Sequence, residues 1–293
     1  MSHKGSLDRP EHSEQGAFIA QLAGEAGRNQ RKMSNNQHNN GLALLKHAEQ
    51  EQLGQITENQ VLTMPTCMQS YLMYAQVIGK APIQTVRLAQ KGYMRQKPEQ
   101  KWIPLVAEQY FSTTPQAFLW HGTMRPFPFF WMTGTDRFSG GHGTMRIKLL
   151  SVIPLPLASG PKMDQGELQR YLGEIIWFPT AWFSDAIEWH TIDEHSVQAT
   201  LHEPGVAGSV AMHVNEQGQL TLVTAERYMG NEGILTPWSI QLDAYREAGG
   251  MRIPTVFEVT WHPASGDFTW FRGQLTEIEY NQSGKVIRFE EAG

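Results

Sequence analysis

Residues 255–289 read TVFEVTWHPASGDFTWFRGQLTEIEYNQSGKVIRF, from Thr255 to Phe289. Val256, Phe257, Val259 and Trp261 fall in a β-rich run, and His262–Asp267 supplies Pro, Ser and Gly for a turn. Phe268–Tyr280 and Lys285–Phe289 repeat the pattern around a second turn at Asn281–Gly284. The stretch therefore predicts three successive antiparallel strands.

The reading extends upstream. Thr191–Leu201, Gly208–Val214 and Gln219–Arg227 are strand-like, with Asn215–Gly218 as a hairpin turn. Earlier, Ile83, Val86 and Leu88 lie in a first strand, Trp102–Phe111 and Ala117–Met124 follow, and Thr144 to Ile153 forms another. Strand follows strand with few helices between, which excludes a βαβ plan. The expected class is α+β, mainly β: a large curved antiparallel sheet or open barrel with a few packed helices. The domain plan is a poorly ordered polar tail over 1–40, a helical segment over 41–80 that packs on the sheet, and one β-rich domain over 81–293. In the tail, the Asn/Gln-rich run Asn29–Asn40 has too little apolar surface to offset its ordering entropy.

One helix interrupts the strands. Between Gln165 and Trp177, Leu168, Tyr171, Leu172, Ile175 and Ile176 recur at helical spacing, with Asp164 as candidate N-cap and Glu167 three residues on. Pro179 ends it. Arg170 and Glu174 stand i, i+4 on this helix, off the Leu168/Leu172/Ile176 stripe. Either they form an exposed pair worth a few tenths of a kcal/mol, or they stand at a cavity mouth where a guanidinium tunes a carboxylate. Gly173 costs a helix about 1 kcal/mol relative to Ala, which suggests that another element approaches closely there.

Composition narrows the function class. The 293 residues carry 24 Lys+Arg against 29 Asp+Glu, a net charge of −5, which argues against a nucleic-acid binder. That sum hides a division: −1 over residues 1–60, +7 over 61–160 and −11 over 161–293. A single cysteine, Cys67, excludes an internal disulfide framework. No apolar run approaches the about 20 residues of a transmembrane helix and no signal peptide is visible, so a cytoplasmic location is expected. The histidines do not form H-E-x-x-H, and His190, Asp193, Glu194 and His195 alternate between faces in a strand, so neither metal nor cofactor is expected. The segment Phe130–Gly143 reads as a Gly-rich loop carrying Asp136, Arg137 and His142, without the Lys-Ser/Thr of a phosphate loop.

All nine tryptophans, from Trp102 to Trp270, fall in the sheet-rich part, which also holds most of the Phe and Met. Each can bury on the order of 200 Å². They either plug the interior of the curved sheet or line a pocket. The pocket reading makes the partner a small apolar or amphiphilic molecule. Trp120, Tyr171, Trp177, Thr180, Trp182, Trp238 and Trp261 would line it together with Met residues, and Arg170, Arg227 or Arg252 would meet a polar head. The alternative is a cofactor-free acid–base enzyme, an isomerase, cyclase or lyase, with Glu174 as base tuned by Arg170, Tyr171 or Asp136.

The segments RYLGEIIWFPTAW (Arg170–Trp182), DRFSGGHGTMRIK (Asp136–Lys148), AERYMG (Ala225–Gly230) and GGMRIPTVFEVTW (Gly249–Trp261) resemble a family of bacterial β-rich proteins of unknown function with an R-Y-L-x-E-x-x-W-x-P-T-A signature. The resemblance covers about residues 71–288. It implies the open half-barrel of lipoprotein carriers and marks Arg170, Glu174, Trp177, Pro179 and Thr180 as motif positions. It implies no reaction.

Overall fold

The computed structural model describes residues 38–46, 54–127, 130–150, 153–230 and 233–290; almost all of the expected polar tail lies outside these. A helix over residues 38–46 (α1) is followed by α2 (Glu58–Leu62) and α3 (Thr66–Tyr74). Thr57 and Gln60 cap α2 reciprocally, and Pro65 precedes α3.

The first arm of the sheet comprises β1 (Thr85–Met94), β2 (Ile103–Thr113), β3 (Gln116–Phe127), β4 (Phe130–Ser139), β5 (His142–Leu149), β6 (Ile153–Pro154) and β7 (Ala158–Ser159). Helix α4 (Pro161–Glu174) follows, continued by two 3-10 turns, Ile175–Trp177 and Pro179–Phe183. The second arm comprises β8 (Ile187–Thr191), β9 (Ser196–Glu203), β10 (Val206–Val214), β11 (Leu220–Met229), β12 (Ile234–Ala248), β13 (Met251–Trp261), β14 (Phe268–Tyr280) and β15 (Ile287–Arg288). Every pairing is antiparallel, in the order β6-β5-β4-β3-β2-β1-β14-β13-β12-β11-β10-β9-β8. Each arm is a meander of chain neighbours, and the two join where β1 pairs with β14, Val86 opposite Tyr280.

The sheet is a curled half-barrel. α4 touches both β5 and β10, nine places apart in the sheet order, which only a sheet bent around the helix allows. Burial alternates accordingly: Leu105, Ala107, Gln109 and Phe111 of β2 face inward and are buried, while Pro104 and Val106 face out. Leu168, Tyr171, Leu172, Ile175 and Ile176, the stripe expected from sequence, are at most 1% exposed. The helix begins at Pro161 rather than Gln165, because proline at the first turn sets φ and needs no N–H partner. Asp164 sits in its first turn, where Oδ1 accepts the Gly143 N–H at 2.8 Å. Beyond α4, Trp177 packs on Phe257 at 5.3 Å, and Tyr280 Oη donates to the Trp177 carbonyl at 2.7 Å. Trp177, Phe178 and Trp182 fill this end of the half-barrel, none more than 2% exposed.

Two segments differ from the sequence reading. Phe130–Gly143 is not a loop: it is β4 and the Gly140-Gly141 turn into β5. Its Gly134, with Gly122 of β3 opposite, lies under the Trp120 ring, whose atoms come within 2.2 Å of a β-carbon built on Gly122 and 3.2 Å of one on Gly134. Those glycines let a large ring lie flat on the strands. Residues 234–248 form a strand that the sequence pattern does not predict: β12 carries Pro237 and, at Ala244, a left-handed residue (φ 52°) that drops one pair from an otherwise continuous register with β13. Gly173 does mark a close approach: Ile240 Cδ1 of β12 lies 3.1 Å from where its β-carbon would stand.

Gly122→Ala drives a methyl into the buried Trp120 ring while leaving an ordinary backbone conformation. We expect a loss of about 1–3 kcal/mol, read as a lower urea midpoint with unchanged slope.

Candidate functional site

Charged side chains do not normally enter the inside of a β half-barrel unless they are paired. Here α4 carries three of them there. Glu167, Arg170 and Glu174 occupy successive turns of one helix face, with relative exposures of 3% for Glu167 and 8% for Glu174. The Arg170 side chain, 16% exposed, is engaged on three sides. Its Nε donates to Glu174 Oε1 at 3.0 Å, its Nη1 donates to Asp136 Oδ2 on β4, and Glu167 Oε2 lies 3.8 Å from Nη1. The guanidinium also stands over the rings of Phe118 and Trp120, 5.0 and 5.3 Å from their centroids.

Glu174 is fixed from the sheet as well. Gln109 Nε2 on β2 donates to its Oε2 at 2.6 Å, and Gln90 Nε2 on β1 donates to Gln109 Oε1 at 3.0 Å. From the opposite arm, Arg227 of β11 lies over the Trp238 ring of β12 at 4.6 Å and donates through Nη2 to the Gly166 carbonyl at 2.7 Å. Two Trp–Arg stacks thus come from the two arms, with the acids of α4 and β4 between the guanidiniums.

Burial governs the protonation of the cluster. It raises Glu167, which also faces the Asp136 and Glu174 carboxylates, up to about 8, so this side chain holds a proton at neutral pH. Burial likewise raises Asp136 and Glu174, against the opposing pull of Arg170. It pushes Arg227 down to about 10. Burial also works against the Arg170 charge, but Glu174, Asp136 and Glu167 outweigh it and hold the guanidinium ionised above its ordinary range. Among the described residues, Glu167 Oε2, Arg227 Nε and the indole N–H groups of Trp120 and Trp238 are buried in the cluster without a hydrogen-bond partner, as are the indole N–H groups of Trp177 and Trp182 at the filled end.

Of the residues singled out from sequence, Arg170, Glu174, Asp136, Arg227, Trp120 and Trp238 converge here. Trp261 is partly buried beside them, opposite Trp238 in the β12–β13 register. The others lie elsewhere. Tyr171 is buried and donates to the Ser112 carbonyl at 3.1 Å. Thr180 Oγ1 accepts the Ile83 N–H at 2.9 Å. Trp177 and Trp182 belong to the filled end, Trp182 against Trp189 at 5.6 Å. Arg252 is exposed at the far end of β13, over Tyr74 at 5.4 Å. Sequence reasoning does not reach Glu167, whose position three residues after Asp164 points to capping, nor Gln109 and Gln90. Their signal was a glutamine on the apolar side of an alternating strand, between Ala107 and Phe111 and after Leu88. Among the described residues no group of three or more His, Cys, Asp or Glu is placed to hold a metal ion.

Residues 54–273 match the model of a family of unknown function, DUF6544. No curated protein matches the sequence. Solved structures similar in shape include a LolA superfamily protein from Nitrosomonas europaea, with 10% identity, a TM-score of 0.36, and coverage of 76% of this chain and 93% of that one. A DUF1329 family protein from Desulfovibrio piger gives 10% identity, a TM-score of 0.42, and coverage of 75% and 94%.

A carboxyl whose folded pKa is raised binds its proton more tightly in the folded state. Its stabilisation is complete below the unfolded value, about 4.3, and is lost as pH rises through about 8. Stability should therefore fall between pH 5 and 8, and Glu167→Gln should flatten that fall. The check is urea unfolding of both proteins at half-unit pH steps. Asp136 and Glu174 shift in the same direction and leave some slope behind.

Proposed function

Since the chain belongs to this family of unknown function, DUF6544, we propose from its geometry that the concave face binds an apolar or amphiphilic small molecule. The observation that carries this reading is the pair of opposed Trp–Arg stacks. Buried indole N–H donors and a protonated carboxyl stand beside them without partners, and each such group costs about 1–3 kcal/mol while unsatisfied. A polar head group reaching the cluster would satisfy them.

Apolar side chains continue along the same inward rows. Met124 and Met132 face each other across β3 and β4, and Met94, Met132, Ala225 and Trp261 are only partly buried. Thioethers and indoles suit an irregular hydrocarbon body. In this reading Arg170 and Arg227 position the head, while Trp120, Trp238 and Trp261 flank it. Tyr171, Trp177, Thr180 and Trp182 would support the site from the filled end, while Arg252, over Tyr74 at the other end of β13 from Trp261, stands apart from it.

A second reading is cofactor-free acid–base catalysis in the same place. Both Glu174 oxygens are engaged, by Arg170 and Gln109, which leaves Glu174 as an orienting group. Glu167, with a free oxygen and a pKa of about 8, is the better proton carrier.

Protein purified from a heterologous host is expected to show a bound small molecule by native mass spectrometry. Delipidated protein should shift its Trp emission when titrated with fatty acids or polycyclic hydrocarbons. Met132→Glu, which sets a carboxylate in the apolar row, should weaken that binding about tenfold or more. No spectral response across the panel and no retained mass would overturn the proposal.

A further inference from the structure

The convex side of the first arm carries a cavity unrelated to the concave cluster. Its volume is about 740 Å³, within the range of sites that enclose a small organic ligand. The floor is the outward face of β3, β4 and β5, and α1 and the segment around Leu157 form its sides.

Three cations meet there: Arg137 of β4, and Arg146 and Lys148 of β5. Arg146 and Lys148 are two residues apart on one face, about 7 Å along the strand. Arg137 pairs with Thr144, so it lies diagonal to Arg146, about 7–8 Å away. Their cross-strand neighbours are hydroxyls rather than acids: Thr144 opposite Arg137, Thr135 opposite Arg146, Thr133 opposite Lys148. No carboxylate lines the cavity, and among the described residues no ion pair engages any of the three. Most basic residues of a folded surface are interspersed with acids; these are not. The +7 charge of residues 61–160 is concentrated in part here.

The remaining walls are apolar. Leu119 is buried in the floor, and Leu44 and Leu157 face the cavity from the sides. α1 is held over this face by a tight contact: His38 Nδ1 and Tyr110 Oη are 2.5 Å apart, and Gly41 lies so close to the Tyr110 ring that a β-carbon there would come within 2.4 Å of it.

We propose that this cavity is a second binding site, for an anionic amphiphile. Its phosphate, sulfate or carboxylate would be met by Arg137, Arg146 and Lys148, with the Thr133, Thr135 and Thr144 hydroxyls as further donors. Its apolar body would lie against Leu119, Leu44 and Leu157. The site is independent of the concave face, which lies across the sheet.

The test is calorimetric titration of the full chain with dodecyl phosphate below its micelle concentration, with dodecanol and with inorganic phosphate. Dodecyl phosphate should bind, and dodecanol about tenfold or more weaker; raising NaCl from 50 to 500 mM should weaken the former only. Arg146→Gln/Lys148→Gln, both on the outer surface, should cut the salt-sensitive dodecyl phosphate affinity about tenfold with an unchanged melting temperature, whereas Met132→Glu, which weakens only the concave face, should leave that salt-sensitive component intact. Inorganic phosphate competing as well as dodecyl phosphate would identify a free-anion site and overturn the amphiphile. Overturning results also include equal binding by wild type and the double variant, equal binding of dodecanol, and loss of binding in Met132→Glu alone. Vesicles of phosphatidylglycerol separate the sources: co-sedimentation that the double variant abolishes places the head group in a bilayer, and its absence assigns a soluble amphiphile.

Discussion

Arg170 is a cation that the chain takes inside a curled sheet. Everything nearby answers to the cost of doing so. A buried guanidinium left alone would forfeit several kcal/mol, so the helix supplies Glu167 and Glu174 one turn to either side, and β4 supplies Asp136 from the facing wall. These contacts tie α4 to the first arm, while Gln169 Nε2 reaches the carbonyls of Ser209 and Glu226 on the second. The helix is thereby fastened between the two arms by polar bonds, and its apolar stripe packs into the core beneath it. An ion cluster of this kind adds little net stability against an apolar replacement, but it is unforgiving of partial removal.

The surplus acid gives the cluster its character. Three carboxyls share two guanidiniums, and the shortage of positive charge is absorbed by keeping Glu167 protonated. A neutral carboxyl beside a cation is both donor and acceptor, and its second oxygen has no partner of its own. The aromatic residues then define where this chemistry can be reached. Trp120 and Trp238 lie under the guanidiniums as plates, and Gly122 and Gly134 give Trp120 the room to lie flat.

Much of the fold was legible because antiparallel meanders announce themselves locally, through alternation within a strand and turn residues between strands. The 255–289 stretch is the clearest case. β4 and β12 were not legible, for opposite reasons: β4 spends its glycines on a ring supplied by another strand, and β12 carries a proline and a left-handed alanine that blur its period. In the site, the Arg170/Glu174 spacing pointed to a pair but could not say whether it faced water, since that depends on the sheet curling around the helix. Gln109 acquires meaning only when β2 brings it under Glu174, and Gln90 only when β1 sets it beside Gln109. The Trp residues were separable into fillers and liners only by position, for Trp177 and Trp120 have the same chemistry and different surroundings.

The seam between β1 and β14 carries one more consequence. The middle of the sheet is assembled from strands almost 200 residues apart, Val86 against Tyr280, whereas nearly every other pairing is between chain neighbours. On a ribosome the two meanders can each take shape as they emerge, but the central hydrogen bonds must wait until β14 has been synthesised. Until then, both arms present bare strand edges of the type that invite the wrong partner. Closure of so distant a contact is slow, and the vulnerable interval in this protein's life is therefore its birth rather than its mature state.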